Sequence, residues 1–397
     1  MTRPAVLTFC DYYLPGYKAG GPLRTIANMV EQLGDEFTFR IVTRDRDLGD
    51  AGAFSGVAVG EWNAVGRADV LYLPPGGMDE QAVRRVLRET PHDVLYLNSF
   101  CSPRLTIVPL VLRWLGRVPE RPVVLAPRGE LAASALGKSP VRKRLYAAAA
   151  RTARLFRDVI WQASSPFEAD EIRQRIGRQA HIVVARDLPP RLDAGAERRP
   201  PAARAKPAGQ ARLLFLSRIH PVKNLDGALR LLDRLSGEIE FNVYGPLEDE
   251  RYWQRCRQQF ARMPANVRVE QRGSVAPEDV PRVMREHDLL LFPTRGENFG
   301  HVILESLIAG CPVLISDRTP WRNLAGAGVG WDLPLDGQDR FRQVLQGVID
   351  MPADEHAALR DRAAAYGRQI CRDTEALEQN RRLFHDAIGP ARAARAA

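Results

Sequence analysis

Short apolar runs of five to seven residues recur along most of this chain, and stretches with helical spacing separate most of them. Parallel strands need a long crossover between them, whereas hairpins do not, so this rhythm predicts an α/β fold built on parallel sheets. Strands are expected at 5–9, 39–43, 93–98, 123–127, 159–164 and 181–186, and again at 212–217, 241–245, 267–273, 288–294 and 312–316. The two series are separated by PPRLDAGAERRPPAARAKPAGQ, which has almost no large apolar side chains and cannot bury enough surface to fold alone.

The resulting division is a doubly wound, Rossmann-like domain over 1–188, a linker over 189–210, and a second such domain over 211–370. A helix and tail occupy 371–397 and are a candidate to cross back to the first domain, with the final GPARAARAA expected to fray. Two open sheets of this kind, facing each other, imply a cleft, and ligands in such sheets sit beyond the carboxyl ends of the strands. One helix start is well marked: Ser165, Pro166 and Glu168 supply a capping hydroxyl, a proline at the first helical position and a capping-box acid.

At 397 residues with 45 % hydrophobic content, the chain suffices for two cores. A formal charge of +9 favours anionic partners without choosing among them. The five cysteines are scattered, with no CxxC pair, so neither a disulfide framework nor a zinc site is signalled, and a reducing cytoplasm is expected. No apolar run reaches the roughly 18 residues of a spanning helix, which restricts membrane contact to a peripheral one at the inner face.

The stretch GENFGHVILESLIAG, residues 296–310, follows one expected strand and precedes another, so its first part is a loop at a strand's carboxyl end and its second part a helix. Amides at a helix start lack intrahelical partners and carry partial positive charge, which suits those near Phe299, Gly300 and His301 to a phosphate, with the adjoining Asn298 a candidate contact to the same donor. Glu297 and Glu305 lie eight residues apart, no more than roughly 12 Å even along a helix, a span that fits a phosphate flanked by hydroxyl-bearing rings. Glu305 has apolar neighbours nearly all round, so it is expected to be buried and to need a partner. In SRIHPVKN, residues 217–224, Arg218 and Lys223 can neutralise a diphosphate, and Asn224 can cap the following helix.

GENFGHVILE resembles the E-x7-E motif of retaining GT-B glycosyltransferases of family 4, and SRIHPVKN resembles the same family's R-x4-K diphosphate clamp. The likeness continues through Tyr244-Gly245-Pro246, Gly273 and CPVLISDRTPW. It implies a nucleoside-diphosphate sugar held by the second domain and a glycan or glycolipid acceptor held by the first. By that likeness Arg218, Lys223 and Glu297 are catalytic, Glu305 holds the ribose, Gly245 and Gly273 belong to the donor pocket, and no metal or other cofactor is needed.

Within the first domain, Gly20 and Gly21 resemble the family's glycine loop that reaches the donor phosphates; they are not a G-x-G-x-x-G fingerprint, so a nicotinamide cofactor is poorly supported. The run Asp93–Phe100 departs from the family's H-x-H sequence by carrying Tyr96 and Asn98, so no catalytic histidine is assigned. Asn98, Arg128 and Glu130, at strand exits, are candidate acceptor contacts. AASALGKS, residues 132–139, misses a P-loop by its first glycine.

From Lys138 to Arg157 there are seven basic residues and no acidic one. Val141, Leu145, Ala149 and Phe156 can line one helical face with the cations opposite, which makes the segment a candidate contact to an anionic membrane surface rather than to nucleic acid. Rival readings are an epimerase of sugar nucleotides on the same architecture and a non-catalytic sugar-nucleotide binder.

Overall fold

The computed structural model describes residues 3–132, 140–192 and 205–396, with side chains for all of these except 140–144 and 390–396. They form two compact units, Met1–Leu188 together with Thr374–Ala397, and Pro189–Asp373.

The first unit is built on eight strands: β1 (Ala5–Cys10), β2 (Thr38–Arg44), β3 (Trp62–Val65), β4 (Ala68–Leu73), β5 (Val94–Asn98), β6 (Val123–Leu125), β7 (Val159–Ala163) and β8 (His181–Val184). Their order is β3-β4-β2-β1-β5-β6-β7-β8, parallel throughout except for the antiparallel β3–β4 hairpin. That hairpin lies outside the expected strands. Its strand β3 is short and half exposed, so it carries little apolar signal, although β4 is buried except at Asp69.

The second unit contains β9 (Gln210–Leu216), β10 (Glu238–Tyr244), β11 (Val267–Gly273), β12 (Leu289–Phe292), β13 (Val313–Ser316) and β14 (Gly330–Leu333), ordered β11-β10-β9-β12-β13-β14 and all parallel. Strands β12 and β13 are buried at every position, as expected of central strands covered by helices on both faces. Edge strand β14, Gly-Trp-Asp-Leu, had no apolar run to betray it. The expected linker is not wholly linker: Lys206 is buried, and its ammonium donates to the Ile349 and Met351 carbonyls at 2.8 and 3.0 Å.

The C-terminal helix Glu375–Ala396 belongs to the first unit. Phe384 is fully buried, with its ring 5.5 Å from Phe37, 6.2 Å from Phe39 and 5.3 Å from Tyr96. Arg381 donates to Glu36 at 2.6 Å. The helix runs to Ala396, through the segment expected to fray.

The helix Pro140–Thr152 carries part of the basic run, but its faces differ from those expected. Tyr146, Ala147 and Ala150 turn toward the core, while Ala149 is exposed and Leu145 is 64 % exposed. Val141, Arg142, Lys143 and Arg144 lie outside the described side chains. Among the described residues no helix is long and apolar enough to cross a membrane.

Ser165 caps the helix Pro166–Ile176 by accepting from the Glu168 amide. The Glu168 carboxylate does not close the capping box. It is buried, and accepts from the Gly129 amide at 2.7 Å and from both the amide and the hydroxyl of Ser164 at 2.8 Å, joining the exits of β6 and β7. Burial, and then the neighbouring Glu168, push the Glu171 carboxyl up to about 7 against the pull of Arg175. The folded chain therefore holds a proton that the unfolded chain releases from about pH 4.5 upward, and stability falls as pH rises through about 7. Thermal melts of Glu171→Gln against wild type should show the variant's advantage growing from pH 5 to pH 8; a difference independent of pH would contradict this.

Candidate functional site

The order of the second sheet reverses between β9 and β12, and at such a switch point the loops diverge and leave room for a ligand. Two loops leave the carboxyl ends there, 217–224 after β9 and 293–300 after β12. They are stitched together. The Arg295 amide donates to the Val222 carbonyl at 2.7 Å, and the Thr294 hydroxyl donates to the same carbonyl at 3.1 Å. A third loop, after β13, joins them: the Ser316 hydroxyl donates to the Thr294 carbonyl, and the Glu297 amide donates to the Arg318 carbonyl at 3.0 Å.

This stitching brings Lys223 and Glu297 into direct contact. The Lys223 ammonium donates to Glu297 Oε1, each side chain is 12 % exposed, and the ammonium lies 5.8 Å from the centre of the buried Phe292 ring. Arg218, at the exit of β9, donates to Glu248 at 2.6 Å. Glu248 was not singled out in the sequence; its signal was its place just beyond the Gly245-Pro246 turn, in the loop that leaves β10, the strand paired with β9 whose exit carries Arg218.

Asn224 stands at the start of the helix Leu225–Leu232, in the left-handed region at φ 61°, but its side chain does not cap that helix. Instead its amide donates to the Pro293 carbonyl at 2.7 Å, and its oxygen accepts from Arg295 at 3.0 and 3.2 Å. The expected cap is thus an additional tie between the two loops.

The helix His301–Ile308 begins directly after Gly300. His301 is buried with its ring 4.8 Å from Phe299, and the Trp321 indole donates to the Phe299 carbonyl at 2.5 Å, fixing the turn into the helix. Asn298 and Phe299 are half-buried. Glu305 is half-buried too, which is more open than its apolar neighbours suggested.

Gly245 directly follows β10 and Gly273 ends the neighbouring β11, and the Gly245 amide donates to the Gly273 carbonyl at 2.8 Å. A Cβ on Gly245 would stand 1.8 Å from the Ser217 carbonyl oxygen, so only glycine lets β10 pass the root of the Arg218 loop. A Cβ on Gly273 would meet nothing within 4 Å.

In the first unit, Gly20 and Gly21 lie after β1, where that sheet also reverses order, and Gly21 opens the helix Gly21–Leu33. Their loop is anchored by the buried Asp47, whose carboxylate accepts from the Tyr17 and Lys18 amides at 2.7 and 3.0 Å. Asn98 and Arg128 are in contact at the exits of β5 and β6: Arg128 donates to Asn98 Oδ1 at 2.8 Å, to Asp187 at 2.6 Å and to the Tyr96 hydroxyl at 2.5 Å. Burial pushes the Tyr96 phenol up to about 12, which keeps it protonated as the donor to Gln162 at 2.5 Å. Asn98 Nδ2 is buried and has no partner among the described residues. Glu130 clamps the loop after β5, accepting from the Ser99 hydroxyl at 2.7 Å and from the Phe100 and Cys101 amides at 3.0 and 2.8 Å.

Two Rossmann-like parallel-sheet units of these orders define the GT-B glycosyltransferase fold. Residues 198–369 match the family model described as Glycosyl transferases group 1. The chain is 28 % identical over 165 residues to O-antigen chain mannosyltransferase B of Escherichia coli, an alignment covering 40 % of this chain, and it spans 42 % of that curated relative's length. HepE of Anabaena, solved in complex with UDP and glucose, superposes with a TM-score of 0.68 at 17 % identity over 97 % of this chain and 99 % of that one. Sucrose-phosphate synthase of Thermosynechococcus elongatus gives 0.70 at 14 % identity over 97 % and 100 %. WaaG, described as a glycosyltransferase involved in lipopolysaccharide biosynthesis, gives 0.62 at 18 % identity over 91 % and 95 %.

The two strand-end glycines separate backbone strain from steric collision. Gly273→Ala meets only the strain of the left-handed region, about 1–2 kcal/mol, whereas Gly245→Ala must also displace the Ser217 carbonyl. Gly245→Ala is therefore expected to lower the melting temperature more; equal losses in the two variants would contradict the close approach.

Proposed function

We propose that this chain is a glycosyltransferase that moves a hexosyl group from a nucleoside-diphosphate donor to a glycan or lipid-linked glycan acceptor, with retention at the anomeric carbon. The observation that carries the reading is the contact of Lys223 with Glu297 at the switch point of the second sheet, inside the segment matching Glycosyl transferases group 1. A diphosphate beside Lys223 competes for the ammonium that Glu297 holds. The carboxylate so released accepts hydrogen bonds from hydroxyls of the transferred sugar.

Arg218 and Lys223 neutralise the charge that grows on the diphosphate as the bond from the anomeric carbon to phosphate oxygen breaks. Glu305 accepts from the ribose hydroxyls, and the amides around 299–301 face the distal phosphate. The acceptor oxygen forms the new bond on the face the diphosphate leaves, and its proton passes to the departing phosphate. This route needs no protein base and no metal. Asn98 Nδ2, with Arg128 behind its oxygen, offers a polar contact for the acceptor. The mannosyltransferase and lipopolysaccharide descriptions of the relatives support a glycan acceptor carried on lipid, which a cytoplasmic, membrane-peripheral enzyme would reach.

Product analysis with a labelled sugar donor and a lipid-linked glycan tests the proposal. Free nucleoside diphosphate together with an acceptor-linked sugar of unchanged anomeric configuration is expected. An inverted linkage would overturn retention, an isomerised sugar nucleotide would indicate epimerisation, and donor binding without turnover would indicate a binding protein.

A further inference from the structure

At the amino ends of β6, β7 and β8, the opposite end of the first sheet from Arg128, lies a cavity of about 990 Å³. Five arginines line it: Arg113, Arg121, Arg151, Arg154 and Arg157. They come from separate elements, the helix Val108–Trp114, the segment leading into β6, the end of the basic helix and the turn before β7. Phe156 and Trp161 supply apolar wall. Glu120, Asp158 and Asp386 also border the cavity, and Asp158 meets Arg157 at 3.2 Å. Among the described residues neither Arg151 nor Arg154 has a carboxylate partner, and Arg113 Nε is buried without a hydrogen bond while its terminal nitrogen donates to the Arg157 carbonyl at 2.8 Å.

The backbone here adopts conformations that glycine usually fills. Arg154 (φ 54°) and Asp158 (φ 56°) are both left-handed, at a cost of about 1–2 kcal/mol each. The Leu155 amide closes back on the Ala150 carbonyl at 2.8 Å, so the helix ends in a wrapped turn whose left-handed position holds an arginine. This turn sets Arg151, Arg154 and Arg157 around the cavity mouth.

We infer that this cavity is a second anion site, binding the phosphoryl groups of a ligand other than the sugar donor. Guanidinium groups match phosphate oxygens two at a time, and a cluster with unneutralised members favours a multiply charged anion. The volume admits a phospholipid headgroup or a soluble phosphorylated saccharide. The site shares no residue with the switch point of the second sheet, so it stands or falls independently of the proposed transfer reaction.

The full chain is titrated with inorganic pyrophosphate by calorimetry, and sedimented with phosphatidylcholine vesicles with and without an equal part of phosphatidylglycerol. Wild type, Arg151→Ala/Arg154→Ala, Arg151→Lys/Arg154→Lys and Lys223→Ala are compared at one ionic strength. At least tenfold weaker binding of the Ala pair to pyrophosphate, in a class of site that Lys223→Ala leaves intact, supports the inference with a soluble ligand. At least tenfold weaker binding of the Ala pair to phosphatidylglycerol vesicles supports it with a headgroup. In either case the Lys pair, which keeps charge but loses the fork, falls between. Unchanged binding of the Ala pair in both arms overturns the site.

Discussion

An ammonium and a carboxylate, each mostly withdrawn from water, meet where two loops leave the second sheet. Neither Lys223 nor Glu297 can be left alone there, because a desolvated charge without a partner is far costlier than a paired one. The surrounding loops hold the two together: the Arg295 amide on the Val222 carbonyl, the Asn224 amide on Pro293, and the Glu297 amide on Arg318. The sheet order makes the meeting possible, since β9 and β12 lie side by side although some 70 residues separate them in sequence. Under the proposed chemistry the same pairing prepares both groups for a diphosphate sugar, which offers phosphate to the lysine and hydroxyls to the glutamate.

The first unit is organised around a different buried charge. Arg128 is satisfied by Asn98, Tyr96 and Asp187, and Tyr96 passes the chain of hydrogen bonds to Gln162, whose amide donates to Asn380 at 3.1 Å. Asn380 lies on the C-terminal helix, fully buried, and donates to the Arg186 carbonyl at 2.7 Å. A residue near the chain's end thus completes the polar support behind a strand exit of the first sheet, while Phe384 on the same helix fills the core beside it.

The central strands were legible because burial on both faces demands unbroken apolar runs, and LLLF or VLIS can be little else. Strands β3 and β14 were not, because exposed and edge strands are held by backbone pairing that leaves weak marks in side-chain type. The acids and cations of the second unit were singled out from their spacing together with the family resemblance, and the structure brings two of them, Lys223 and Glu297, into contact. Other partners were not legible: Glu248 for Arg218 and Arg295 for Asn224 depend on which loops the sheet order brings together. The basic helix misled for a related reason. Alanines fit either face, so the inward positions were decided by Tyr146 packing against Phe100 and Phe156, leaving Leu145 outside.

The most direct test of the central claim is whether Lys223 and Glu297 act as one unit. Turnover of labelled donor would be measured for Lys223→Ala, Glu297→Ala and the double variant. Each single change is expected to lower kcat/KM by roughly a hundredfold, the scale of one lost transition-state contact, and the double variant should be little worse than either. Losses that multiply to about ten thousandfold would show two independent groups, and single variants with wild-type rates would remove the pair from the site altogether.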